Sequence, residues 1–252
     1  HPDGASGKRA CKRIELGEGL LSKALVRLNR KLLKRHWNWL IDLIFPGFCP
    51  ICEESSFLDG DHYTCLECLD KIAWISGARC KLCGISMAGI DFQGLFCSSC
   101  RKNDFSFDEG RCMFALDQCG RKLIHELKYR GARDVIRDFP AWKERVPDFL
   151  PFLENSILVP VPLHSRRMRS RGYNQSLWIA QAMVKEVGEN SELSDCLKRI
   201  RNTPTQTKND REERKKNVRG AFVLKPAVSL ERKRRIVLVD DVFTTGATLD
   251  AC

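Results

Sequence analysis

Two short apolar runs stand out from a polar, strongly basic background. Residues 156–162 read S-I-L-V-P-V-P, and residues 236–239 read I-V-L-V. The second run predicts a buried strand, and the first predicts a strand leading into a proline-fixed turn. The segment 173–187 behaves differently: Leu177, Ala180, Met183, Val184 and Val187 recur at helical spacing and predict an amphipathic helix. A second helix is predicted over 121–129 (R-K-L-I-H-E-L-K-Y), after a turn at 117–120 and ending at Arg130-Gly131. Its His125 is read as a surface histidine. Short strands are predicted at 112–116 and 218–224, and residues 132–153 are read as helical or irregular structure interrupted by Pro140, Pro147 and Pro151. Toward the N-terminus, Leu21, Leu25, Leu28, Leu32 and Leu33 alternate with Lys and Arg, which predicts a basic amphipathic helix that Pro46-Gly47 stops.

The ends of the two strong strands carry the candidate chemistry. The second is followed by Asp240 and Asp241, then by the small-residue loop Thr244, Thr245, Gly246, Ala247 and Thr248, with a helix starting at Leu249. An acidic pair alone is satisfied by a solvated turn. The whole string is a ribose-phosphate site in outline: carboxylates to accept from vicinal hydroxyls, and backbone N–H groups and hydroxyls to wrap a phosphate. The first strand runs into Val161, Pro162, Leu163 and His164, and then into Arg166, Arg167, Arg169 and Arg171. That arginine density is read as a functional anion-binding loop, since guanidinium forks pair with phosphate oxygens. Residues 197–222 are basic and polar through their middle and are read as a long lid or hood.

Composition adds a second chemistry. Eight of the 13 cysteines form four C-x-x-C pairs: Cys49/Cys52, Cys65/Cys68, Cys80/Cys83 and Cys97/Cys100. The spacing predicts two structural Zn²⁺ sites, most simply Cys49, Cys52, Cys65 and Cys68 on one ion and Cys80, Cys83, Cys97 and Cys100 on the other; a crossed pairing stays open. His62 is read as a surface histidine. Zinc thiolates argue for a reducing compartment and hence a cytoplasmic protein. The net charge of +11 points to a phosphorylated ligand, nucleic acid or an anionic surface. No apolar run approaches the length of a membrane span. No signal peptide is visible, although the chain opens on His1 and so leaves room for an upstream segment.

The string V-L-V-D-D-V-F-T-T-G-A-T resembles the 5-phosphoribosyl-1-diphosphate (PRPP) motif of type I phosphoribosyltransferases. Together with the C-x-x-C module, P-V-P-L-H-x-R-R-x-R-x-R-G-Y-N-Q-S and R-x-T-x-x-Q-T…R-x-x-N-V-x-G-A-F, it resembles the ComF family. The resemblance runs from about residue 40 to the end. It implies a type I phosphoribosyltransferase fold, a parallel sheet flanked by helices, behind a double zinc ribbon. The expected organisation is a basic N-terminal segment over 1–45, the ribbon over 46–102 and the phosphoribosyltransferase domain over 111–252. Asp240 and Asp241 would meet the ribose hydroxyls, residues 244–248 the 5-phosphate, and residues 160–164 the diphosphate. Thr203, Gln206 and Thr207 would lie in the hood, and Mg²⁺ would enter with PRPP. The family is linked to DNA uptake. The resemblance therefore implies transfer of a phosphoribosyl group to a nitrogen acceptor, with no general base assignable. The alternative is a non-catalytic PRPP- or nucleotide-binding adaptor that contacts single-stranded DNA or a DNA-uptake helicase through the zinc module. The pattern also continues beyond Cys252 in the family, which leaves the expected site incomplete.

Overall fold

A parallel three-stranded sheet lies at the centre of the second half of the chain. The computed structural model describes residues 48–54, 62–87, 95–202, 217–226 and 234–252. The predicted N-terminal basic helix and the hood residues Thr203, Gln206 and Thr207 lie outside the described residues. Strand β1 (Ser156–Pro160) is central, with β2 (Glu192–Leu193) on one side and β5 (Arg235–Val239) on the other, both parallel to it. Every residue of β1, the central strand, is buried, whereas β5, expected to be buried, is exposed at Arg235 and Ile236 and buried only at Val239, because it is an edge strand of the described sheet. A separate antiparallel pair joins β3 (Leu197–Arg199) to β4 (Phe222–Leu224). The region read as a lid is thus held at its base by a short β-ladder. The protein is α/β, with the parallel sheet and flanking helices of the phosphoribosyltransferase type behind a cysteine module.

The cysteine module contributes helices α1 (Leu66–Asp70) and α2 (Ser98–Arg101). Helix α3 (Gln118–His125) starts three residues before the predicted position, because Asp117 caps it by accepting from the Gly120 amide at 2.7 Å. Gly120 is required there: a Cβ would come within 2.5 Å of the Ala115 carbonyl oxygen. The helix then widens into a π turn, Glu126–Arg130, and stops at Gly131, whose φ is +63°. A 3-10 turn (Arg133–Asp138) leads into α4 (Phe139–Arg145) and α5 (Phe149–Leu153). Helices α6 (Ser165–Arg171) and α7 (Gln175–Val187) connect β1 to β2, and α8 (Ala247–Ala251) follows β5.

The strand predicted at 112–116 is reduced to one antiparallel bridge, Trp74 with Phe114. Two backbone bonds, Ile75 N–H to Met113 and Ala115 N–H to Ala73, flank it. The Asp117 cap begins a helix two residues later, so the ladder has no room to extend. What remains is an aromatic anchor, with Phe114 edge-on to both Trp74 at 5.6 Å and Trp142 at 5.8 Å.

The main core does not separate the cysteine module from the sheet. Cys49, Ile51, Cys68, Leu69 and Ile72 belong to the same buried cluster as Phe139, Trp142, Leu153, Leu158, Ile179 and Val239. A buried carboxylate joins the two parts: Asp138 accepts from the amides of Tyr63 at 2.5 Å and Thr64 at 2.8 Å. His62 is half-buried with Nδ1 3.9 Å from the same carboxylate, so it faces inward and not, as read from sequence, fully onto the surface. Replacing Asp138 by alanine strands two amides that water reaches poorly, and is expected to cost about 2–4 kcal/mol. Asp138→Asn should recover at most one of the two bonds, because in either flip its NH₂ faces one of the N–H donors. Chemical denaturation of both variants measures the loss.

Candidate ligand site and metal centres

The eight paired cysteines gather into two groups of four: Cys49, Cys52, Cys65 and Cys68, and Cys80, Cys83, Cys97 and Cys100. Within each group the sulfurs all lie within 4.8 Å of one another. Crossed pairing is therefore ruled out. The Cys52–Cys65 and Cys83–Cys97 sulfurs are 4.0 and 3.8 Å apart. A tetrahedron of Zn–S bonds of about 2.3 Å has edges of about 3.8 Å, so the geometry fits zinc. Soft thiolate donors exclude magnesium and calcium from these positions. Burial pushes the Cys80 thiol up, but amides from Cys97, Cys83 and Leu82 outweigh it and bring the group down to about 7, ready to bind as thiolate. With four protein ligands each, both centres are closed to substrate and are structural. Among the described residues no cysteine is in a disulfide.

The second site lies where the sheet order reverses. From β1 the chain passes through α6 and α7 to β2 on one side, while β5 lies on the other. The crevice beyond the carboxyl ends of such strands is where open α/β sheets bind ligands. Val161 continues the pairing by donating its amide to the Val239 carbonyl at 2.9 Å. This holds the Val161–His164 stretch beside Asp240 and Asp241. Asn174, which caps α7 through the Ser176 amide at 3.1 Å, also donates to the Val161 carbonyl at 3.0 Å.

The two carboxylates are held differently. Asp240 accepts from the Ser176 hydroxyl at 3.0 Å and from the Asp241 amide at 2.9 Å. Burial first, and the neighbouring Asp241 charge second, push its carboxyl up to about 7. Asp241, with 5% of its side chain exposed, meets the Lys128 ammonium at 2.8 Å. Lys128 lies in the π turn, where the extra residue per turn changes which side chain faces the sheet. That turn is tied down by the Tyr173 hydroxyl, which accepts from the Gly131 amide at 3.0 Å, while Tyr173 stacks on Trp178 with 4.2 Å between rings.

The arginines read as a loop form helix α6 instead. His164 caps it through Nδ1, accepting from the Arg166 amide at 3.2 Å, and Gly172 ends it at φ +82°. No helix breaker interrupts the segment between them. Arg166 and Arg169 are exposed, whereas Arg171 turns back to Gln175 at 2.5 Å and over the rings of Tyr129 and Tyr173. Arg167 lies close enough to Arg199 of β3 that burial, then the Arg167 charge, lower the Arg199 guanidinium's pKa, opposed by Cys252 and Asp240. Arg199 lies over the Phe222 ring at 5.3 Å. The diphosphate set thus divides, and Lys128, Ser176 and Arg199 join the site without having been singled out by the sequence. Only the proximity of β3 to the sheet, invisible in a basic string, could have selected Arg199.

In the loop after Asp241, Thr244 is exposed, Thr245 accepts weakly from the Ala247 amide at 3.4 Å, and Thr248 lies in the first turn of α8. Gly246 adopts φ +76°, and a Cβ there would stand 2.8 Å from the Phe105 ring. The requirement for glycine therefore has a cause within the protein itself. A cleft of about 690 Å³ touches Asp240 and Asp241 at one end. Its other walls are β5 and mainly apolar residues such as Met113, Phe114 and Phe152, with Arg111 and Arg235 also lining it.

A thiolate ribbon packed on a parallel sheet with an acidic pair at its switch point defines a ribbon-bearing protein of the phosphoribosyltransferase fold type. Residues 40–101 match the family described as the double zinc ribbon domain. The chain is 39% identical over 215 residues to the DNA utilization protein YhgH of Salmonella typhimurium, covering 82% of this chain and 89% of the relative. It is 25% identical to Competence protein F of Haemophilus influenzae, over 75% of this chain and 88% of the relative, and 25% identical to Competence protein ComFC of Bacillus subtilis, over 76% and 77%. The chain belongs to this ComF family of competence and DNA utilization proteins. No solved structure matches it. Among the described residues no helix is long and apolar enough to cross a membrane.

Proposed function

We propose that the crevice between the carboxyl ends of β1 and β5 binds PRPP and transfers its phosphoribosyl group to a nitrogen acceptor, releasing diphosphate. The observation that carries this reading is the pair Asp240 and Asp241, brought by β5 to the switch point beside the Val161–His164 turn. Asp240 and Asp241 accept from the two ribose hydroxyls, and Thr244–Thr248 surround the 5-phosphate. Val161–His164, with Arg166, Arg167 and Arg169, face the diphosphate. Mg²⁺ suits oxygen ligands, and here it would enter on the diphosphate and ribose oxygens, neutralising the leaving group. The chain's own part is to orient the ribose and stabilise charge separating from it. The thiolate centres support a reducing compartment, and the reading takes this to be the cytoplasm. Calorimetric titration with PRPP and Mg²⁺, followed by diphosphate release across nucleobases and amines, tests the reading. Absence of PRPP binding overturns it.

The names of the relatives, competence and DNA utilization, favour a second reading. In it the same pocket holds PRPP or a nucleotide without turnover, and the ribbon contacts single-stranded DNA or a DNA-uptake helicase. Binding without release for every acceptor selects this adaptor.

Asp240 makes the site pH-dependent. Its carboxyl is raised to about 7, so ionising it costs the folded protein. The stability linked to this group is complete below the ordinary carboxylate pKa of about 4 and is lost as pH rises through about 7. PRPP binding runs the other way, since the ionised carboxylate is the better acceptor. Lowering pH from 8 to 6 is expected to raise this group's contribution to the denaturation midpoint and weaken PRPP. In Asp240→Asn both slopes should flatten.

A further inference from the structure

We infer that Phe105 is a positioning residue that couples the second zinc centre to the loop Thr244–Thr248; the ligand half of this inference rests on the PRPP reading above. The second thiolate group has its own small core: Cys80, Cys83, Met87, Cys97 and Cys100, with Phe105 and Phe243 packed against it. Phe105 and Phe243 belong to different segments, one leaving the ribbon and one inside the loop. Both reach Gly246, where an added Cβ would lie 2.8 Å from the Phe105 ring and 3.1 Å from the Phe243 ring. Phe107 stacks on Phe105 with 4.9 Å between rings and keeps its plane. One residue on, the Ser106 amide donates to the Asp250 carboxylate in α8 at 2.7 Å. The segment after the ribbon therefore grips the loop at its glycine and its helix at Asp250.

Gly246 cannot relax freely. Its left-handed backbone is accessible to glycine at little cost, and nothing in its own conformation selects one geometry over its neighbours. The Phe105 ring supplies that selection by filling the space beside its Cα. The ring in turn is held by the four-cysteine core, which is too small to persist without metal. The second zinc centre is thus a foundation for the anion loop, although its four cysteines hold metal and take no part in the proposed ligand contacts.

Hydrogen exchange and zinc analysis test this independently of any ligand. Phe105→Ala is expected to keep two zinc ions and normal protection in β1 and α7, while exchange across residues 243–250 quickens about tenfold. The Asp250 amide, which donates to Gly246, is the most direct reporter. Cys97→Ser should retain one zinc and reproduce the same local quickening. Phe105→Leu should restore much of the protection; if the alanine variant fails to fold, Cys97→Ser, which leaves Phe105 in place, carries the test, and unaltered exchange at 243–250 in it overturns the inference. Where wild-type protein binds PRPP with Mg²⁺, Phe105→Ala should weaken it about tenfold with the zinc count unchanged. Unaltered exchange at 243–250 in Phe105→Ala overturns the inference. Quickened exchange in a protein that ignores PRPP upholds the coupling and removes the ligand reading alone.

Discussion

Cys49→Ser is expected to lower the stability of the whole protein, whereas Cys80→Ser should loosen only its surroundings. The two centres look equivalent in sequence but are packed differently. Losing the first frees Ile51, Leu69 and Ile72 from the main core, where they share a cluster with Trp142 and Leu158. Fully burying a side chain of this size is worth about 1.5–3 kcal/mol, so a loss on the order of 5 kcal/mol follows. That is a large part of a typical domain's stability. Cys80 belongs to a cluster whose other buried members are ribbon residues alone, and its loss should move the global midpoint by less than about 1 kcal/mol. Each variant should hold one zinc ion, against two in the wild type. Denaturant unfolding followed by tryptophan fluorescence separates them, since Trp142 reports on the main core. Equal drops in midpoint would show that the ribbon unfolds as one piece and that the asymmetry is wrong.

Asp241→Asn is expected to weaken PRPP by about 1–3 kcal/mol, because a charged acceptor for a ribose hydroxyl becomes a poorer neutral one. The effect has a second source in the structure. Asp241 is the partner of Lys128 at 2.8 Å, and the lysine side chain is itself only 25% exposed. Removing the carboxylate charge leaves an ammonium with little water and no counter-charge from Asp241, which frees it to approach the ligand or to destabilise the π turn. Lys128→Met separates these effects. It keeps the Asp241 side chain while removing the ammonium, so the loss of PRPP binding it causes is the part that runs through Lys128. The double variant then measures their coupling. Calorimetric titration of all three at fixed Mg²⁺ gives the answer. Wild-type affinity in Asp241→Asn would place the ribose somewhere other than at this acidic pair.

Much of the fold was legible because local chemistry set it. The strands at 156–160 and 235–239 announce themselves by continuous apolar runs, and α7 by its periodicity with Asn174 as a cap. The arginine segment folds as a helix where its charge density points to a loop, because that density hides two ordinary helix signals, the His164 cap and the Gly172 stop. The pairing of β3 with β4 was hidden for another reason: strands of three residues carry too few positions for alternation to show.

The sequence by itself determined the thiolate centres, since each C-x-x-C turn brings two ligands together within four residues and the metal needs only two such turns. It also determined where the acidic pair and the small-residue loop stand, since strand, carboxylates and loop are contiguous. Tertiary structure alone decided what surrounds them. Ser176 reaches Asp240 across 64 positions, and Phe105 meets Gly246 from the segment that follows the ribbon. Lys128 faces Asp241 through a π turn that no propensity announces. The same holds for Asp138, whose carboxylate accepts from amides more than 70 residues away. Such contacts depend on which faces the packed elements present to one another, and burial then makes a hydrogen bond or a charge pair far more consequential than the same residues are along an extended chain.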